Sequence, residues 1–136
     1  MSPGALAGLR VLDLSQVLAG PFCTQMLADH GAEVIKIEPP EGDPARRFAP
    51  FRLDDAERAF GGYFQSINRG KKSVVLDLKS TADREAFLRL IDGADVLVEN
   101  NRPGVMERLG LGYETLAARN PRLVYAAIRG FGDPRT

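Results

Sequence analysis

The chain has 136 residues, 44% of them hydrophobic, and its eighteen Lys plus Arg balance eighteen Asp plus Glu. That length suits one core burying roughly two-thirds of its unfolded surface, and the zero net charge gives no whole-chain field for a nucleic acid or an acidic membrane surface. The single cysteine, Cys23, excludes an internal disulfide framework and a cysteine-rich zinc site, which directs the expectation to a reducing cytoplasm and to no metal.

In chain order, the opening MSPGALAGLR carries no long apolar stretch, and no later run approaches the roughly 20 apolar residues that span a bilayer, so no membrane partner is expected. Residues 10–14 form a short apolar run that predicts a strand. Gly20-Pro21 then opens a helix, because proline tolerates a first helical turn; Phe22, Met26 and Leu27 supply its expected apolar face, and His30-Gly31 its stop. EVIKIE, residues 33–38, alternates as a second strand and meets Pro39-Pro40, which cannot continue a sheet interior.

From residue 39 to 62 the pattern dissolves into Pro, Gly, Asp and Arg, a long excursion of the functional or mobile kind. Residues 73–78, SVVLDL, predict a third strand. Ser80 or Thr81 caps the following helix, with Phe87, Leu88 and Ile91 toward the core and Gly93 at its end. A fourth strand over 96–100, short helices over 105–109 and 113–119, and a fifth strand over 123–128 complete the pattern. Such alternation predicts an α/β fold, a parallel sheet flanked by helices and joined by right-handed crossovers. Ligands in these sheets collect beyond the carboxyl ends of strands, here residues 15–20, 38–47, 76–79, 100–102 and 129–133.

The first strand-helix junction is neither GxGxxG nor GxxxxGK(S/T), so a nicotinamide or nucleoside triphosphate reading loses its main support. Free N–H groups near Pro21 suit a phosphate, carboxylate or thioester oxygen; the plainer reading is a tight turn. Arg69, Lys71, Lys72 and Lys79 set four cations against Asp77 within eleven residues. They suit phosphate groups, or they are an ordinary solvated edge. Asn100-Asn101-Arg102-Pro103-Gly104 follows the fourth strand: the amides can read an adenine edge or fix a phosphate, and Arg108 can bind a ligand or nearby carbonyls. Cys23 and His30 stand about 10 Å apart along one helix and form no dyad. A phosphoacceptor role for Asp13 or Asp77 lacks both a second acid beside Asp13 and a lysine on the fifth strand.

Taken together, DLSQVLAGPFCTQMLADHGAEVIKIEPP, NRGKKSVVLDLK, ADVLVENNRPGVMERLGLGYE and NPRLVYAAIRGFG resemble, in order and over nearly the whole chain, the family III CoA-transferases, relatives of formyl-CoA transferase, carnitine CoA-transferase and α-methylacyl-CoA racemase. The resemblance implies the N-terminal part of a Rossmann-like large domain, with coenzyme A or acyl-CoA as substrate and a carboxylic acid as acceptor. Carried over by motif position, Val17 and Ala19 would border the nucleotide, Leu76 and Lys79 would contact its adenosine portion and phosphate, and Asn100, Asn101, Arg102, Val105 and Arg108 would line the neighbouring wall. Formyl-CoA transferase differs in having a glutamine at Leu18, an arginine at Pro39 and an aromatic residue at Asn101.

In the family's transferase mechanism an aspartate carboxylate attacks the acyl thioester and later carries CoA as an enzyme thioester; in the racemase branch a His and an Asp move the α-proton. Both sets follow the GFG phrase, so the catalytic aspartate is expected beyond Thr136. Asp133, in a GDP context, does not match its motif. Residues 1–136 are therefore expected to be a partial CoA-binding domain without the downstream catalytic segment, inactive alone and completed as an interlocked homo-oligomer. A racemase fragment and a non-enzymatic CoA- or nucleotide-binding module are the alternatives.

Overall fold

Five short runs rich in branched apolar residues lie side by side in the computed structural model, which describes residues 4–132. They are β1 (Arg10–Leu14), β2 (Glu33–Glu38), β3 (Lys72–Val75), β4 (Val96–Glu99) and β5 (Val124–Ala127), paired in parallel in the order β3-β2-β1-β4-β5. Parallel neighbours need crossovers rather than hairpins. Those crossovers hold α1 (Ala19–Asp29), α2 (Gly62–Asn68), α3 (Thr81–Asp92), α4 (Val105–Arg108), α5 (Tyr113–Arg119) and a 3₁₀ turn at Pro44–Arg47. The α/β architecture anticipated from the alternation is the one observed.

Successive side chains of a strand leave opposite faces of the sheet. Leu12, Ile35, Ile37 and Leu97 meet Phe87 and Ile91 of α3, Met106 of α4 and Leu116 of α5 in the larger core. Val11, Val34 and Val98 look the other way, toward Leu27 and Ala28 of α1. On that second face the register sets Asp13 beside Lys36, and both side chains are buried.

Three expectations need correction. β3 ends at Val75, not residue 78, because Asp77 turns the chain: its carboxylate accepts from Lys79 N at 3.0 Å while its own N–H donates to Asp83 at 2.8 Å. α2 was not foreseen; its seven residues are too few for periodicity, and the guanidinium of Arg46, 3.9 Å from the Phe64 ring centre, helps to hold it. Finally, α1 is rotated from its expected face: Leu27 packs against the smaller core as anticipated, but Phe22 and Met26 do not. Its buried residues are Gly20, Pro21, Thr24 and Gln25, whereas Phe22 and Met26 are 49% and 44% exposed.

Candidate functional site

The strand order reverses between β1 and β4, and at such a switch point the two neighbouring loops part to leave a crevice at the carboxyl ends. A cleft of ≈ 370 Å³ opens there, within the range of small-molecule sites. Its walls are Leu14, Ile37, Pro39, Leu76, Leu78, Val105, Met106 and Leu109, and its polar groups are Gln16, Glu38, Asp77, Lys79, Asn101 and Arg108.

Five of the residues singled out in the sequence meet in this cleft: Leu76, Lys79, Asn101, Val105 and Arg108. Lys79 and Arg108 are exposed. A Cβ on Gly104 would lie 3.0 Å from Arg108 Nη1, and Gly104 has φ +83°, so glycine there both makes the turn and gives the guanidinium room. Asn101 donates its N–H to Glu99 Oε2 at 2.8 Å and its amide to Met106 Sδ at 3.5 Å. The other four do not line the cleft. Val17, Ala19 and Arg102 are exposed beside it. Asn100 is engaged elsewhere, since its amide accepts from Gln16 N at 2.9 Å and donates to Gln16 O at 2.8 Å. That amide bridges the switch point instead of presenting an edge to a base.

Gln16, Met106 and Leu109 went unrecognised as lining groups. Met106 and Leu109 carried a signal, since α4 must turn one face toward the strand ends. Gln16 carried none, because its direction depends on how the loop is pinned.

The pinning is extensive. Ser15 N donates to Asp13 Oδ1 at 3.0 Å, Ser15 O accepts from Lys36 Nζ at 2.8 Å, and Val17 N is 3.2 and 3.3 Å from the oxygens of Asp43. Val17 has φ +68°, a left-handed conformation that is an outlier for a β-branched residue. Gly20 permits α1 to start close against this loop: a Cβ there would stand 2.1 Å from Ser15 Cβ.

Beneath the loop is a buried ionic cluster. Lys36 Nζ lies 2.9 Å from Asp43 Oδ2 and 4.0 Å from Asp13 Oδ2, and Lys71 Nζ lies 2.8 Å from Asp13 Oδ2. Thr24 and Ser15 hydroxyls also donate to Asp13, and Lys71 donates further to Pro21 O and Asn68 Oδ1. Burial opposes the charge on Asp13, but Lys36 and Lys71 outweigh it and hold its pKa below the ordinary carboxylate value. Burial lowers Lys71 from the usual ammonium value, with Asp13 resisting. Asp13 is thus an enclosed counter-ion.

The run of cations resolves in the same way. Arg69 pairs with Asp29 at 2.6 Å, Lys71 with Asp13 and Lys72 with Glu33 at 2.6 Å. Among the described residues, Lys79 alone of the four has no ion-pair partner and borders the cleft. The run is therefore not four converging phosphate ligands: Lys71 is buried, Arg69 and Lys72 sit in solvent-exposed ion pairs, and Lys79 borders the cleft.

Glu38, at the end of β2, occupies the place where a dinucleotide-binding fold carries its ribose acid. Here both oxygens are engaged by Arg46 at 2.7 Å, by Asp43 N at 2.9 Å and by Ser73 Oγ at 2.7 Å. Burial opposes its charge, yet these donors bring its pKa down to about 2. A carboxylate so occupied is poorly placed to take ribose hydroxyls. Asp133 lies outside the described residues.

Strand order and cleft together define a doubly wound α/β architecture with a cleft at the switch point and without a dinucleotide fingerprint. Comparison with known sequences narrows the class: the profile of CoA-transferase family III matches residues 6–135, and the chain belongs to that family. It is 62% identical over 133 residues to the succinyl-CoA:mesaconate CoA-transferase of Haloarcula hispanica, covering 98% of this chain and 34% of that protein. It is 53% identical over 131 residues to the acetyl-CoA:oxalate CoA-transferase of Acetobacter aceti, covering 96% and 32%. The chain thus spans about a third of the length of these relatives. In three dimensions it is similar to the orthorhombic form of Rv3272 from Mycobacterium tuberculosis, with TM-score 0.90, 45% identity and coverage of 98% of this chain and 37% of that one. A CaiB/BaiF family protein from Brucella suis matches with TM-score 0.90 and 44% identity, covering 96% and 35%.

Proposed function

We propose that residues 1–136 are the N-terminal CoA-binding part of an acyl-CoA:carboxylate CoA-transferase. The observation that carries this reading is the cleft, apolar along its walls, with Lys79 on its rim outside any ion pair among the described residues and Arg108 at α4. An apolar slot with cations at its mouth suits an adenosine whose phosphates reach solvent. Leu76, Lys79, Asn101, Val105 and Arg108 are the proposed ligand contacts. Val17, Ala19 and Arg102 border the loops beside them, and Asn100 acts through Gln16.

In the complete protein we assign the nucleophile to an aspartate in a segment following the GFG phrase. Its carboxylate oxygen attacks the thioester carbonyl and CoA leaves as thiolate, giving a mixed anhydride. The thiolate then attacks the aspartyl carbonyl, releasing the first carboxylic acid and leaving an aspartyl-CoA thioester. The acceptor carboxylate attacks the aspartyl-CoA carbonyl and expels the thiolate, forming a second mixed anhydride. The thiolate then attacks the acceptor's acyl carbonyl, giving the new acyl-CoA and regenerating the aspartate carboxylate. Relatives named as transferases favour this branch over the racemase. A cytoplasmic homo-oligomer, interlocked in the complete protein, belongs to the same proposal.

Calorimetric titration of CoA and of dephospho-CoA into this chain tests the reading. Lys79→Ala is expected to remove about 1.5–3 kcal/mol from CoA binding, the usual worth of a hydrogen bond to a charged group, and less from dephospho-CoA. Equal CoA affinities for wild type and variant at low salt would remove Lys79 from the site. The chain alone is expected to show no acyl-CoA product by mass spectrometry with acyl-CoA donors and carboxylate acceptors. Turnover abolished by Asp13→Ala, Asp77→Ala or Asp133→Ala in a variant whose urea midpoint shows it folded would overturn the assignment of the nucleophile.

A further inference from the structure

We propose that Asp43 is a positioning residue that holds the loop after β1 in its left-handed conformation at Val17, and so sets the edge of the cleft. A valine at φ +68° is unfavourable on its own and persists only where its surroundings fix it. Among the described residues, the side chain bonded to Val17 N is the Asp43 carboxylate. That carboxylate is itself fully buried, fixed by Lys36 Nζ at 2.9 Å and by Ala45 N at 2.9 Å.

Asp43 is also the point at which two separate segments meet. It belongs to the excursion after β2, and its N–H is tied to Glu38 Oε2, the acceptor that also holds Arg46. Arg46 in turn lies over Phe60 and Phe64. The first loop is consequently fastened to the excursion, not merely to its own strand, and Gln16, one residue before the outlier, lines the cleft. A change in the Val17 backbone would load the Asn100 clamp on Gln16 on one side and shift the start of α1 on the other. The role is preorganisation: the loop is held in shape before a ligand arrives, so that binding does not have to order it.

A double-mutant cycle tests this in the 136-residue chain with Asp43→Ala, Val17→Gly and the pair, measuring urea midpoints and CoA affinity. Asp43→Ala removes both oxygens that accept from Val17 N, and the loss of the Lys36 ion pair is common to both backgrounds and cancels in the cycle. Glycine accepts positive φ without strain, so the loop should depend less on Asp43 once Val17 is replaced. The expected result is a CoA affinity loss near tenfold for Asp43→Ala in the Val17 background and under threefold in the Val17→Gly background, with a correspondingly smaller drop in urea midpoint. Equal losses in both backgrounds would mean that Asp43 serves only its ion pair, and the proposal fails. Where Val17→Gly does not fold, Val17→Asn, which also tolerates this conformation, takes its place under the same two outcomes. The affinity arm rests on the CoA reading and the urea arm does not: absence of CoA binding by the wild type refutes that reading while the midpoints still decide the role of Asp43.

Discussion

The two faces of the sheet are built on different physics. Under α3, α4 and α5 the contacts are almost wholly aliphatic and aromatic, and the core residues Leu12, Phe87, Ile91, Leu97, Leu111 and Leu116 are fully buried. Under α1 and α2 the apolar cluster is small, and the carboxyl half is occupied by Asp13, Lys36, Lys71 and Asp43. Apolar packing tolerates small shifts of its members, whereas buried charges impose direction and demand partners. The face with the larger ionic cluster is the one that fixes the first loop. The apolar face keeps a single buried pair at its carboxyl end among the described residues, Glu99 with Arg129, and Glu99 also accepts the N–H of Asn101.

Truncation should separate the two faces most sharply. Phe87→Ala is expected to cost about 3–5 kcal/mol by lost transfer energy and a residual cavity, and an apolar refill such as Phe87→Leu should recover much of it. Lys71→Met is expected to cost a similar amount, about 3–5 kcal/mol, by leaving Asp13 short of a cation. Its recovery follows a different rule: adding Asp13→Leu to Lys71→Met should regain stability, because the pair is removed together. Urea denaturation of the single and double variants reads both. If Asp13→Leu and Lys71→Met are additive, the ionic face is not a coupled unit and the contrast collapses.

A smaller effect concerns acid. Glu38 is depressed from 4.5 to about 2 in the folded protein, so the folded state binds fewer protons than the unfolded state between those values. Its contribution is therefore complete above pH about 4.5 and is lost as pH falls toward about 2, and Asp13, also lowered, acts in the same sense. Glu38→Gln should flatten the fall in urea midpoint across this window. An unchanged acid limb would show that Arg46 and Ser73 do not hold an ionised Glu38.

Legibility followed the same division. The apolar face could be read from the sequence, because strands such as EVIKIE and helices carrying Phe87 and Ile91 have the periodicities that burial requires, and β2 and α5 fall at the predicted residues. The ionic face misled, since Thr24 and Gln25 look like solvent-facing residues and Phe22 and Met26 like core. Nothing local to Asp13 announces Lys71, which is 58 positions away. Within the cleft, Leu76, Lys79, Asn101, Val105 and Arg108 came from family resemblance. Asn100's clamp on Gln16 was illegible because it depends on two strand ends meeting across 84 positions.

The smallest expected effect on stability comes from the outer surface of α1. Leu18, Phe22 and Met26 recur every fourth residue and are 50%, 49% and 44% exposed, so they form one stripe along the helix. Because these side chains are about half exposed, Phe22→Ser should change folding stability by only about 1 kcal/mol, far less than Phe87→Ala on the apolar face. Association is where the stripe should matter, since contiguous apolar surface favours contact between molecules. Light scattering over a concentration series should show self-association of the wild-type chain that Phe22→Ser with Met26→Ser reduces. A loss as large as that of Phe87→Ala would mean that Phe22 belongs to the core after all, and that the outer face assigned to Phe22 and Met26 is wrong.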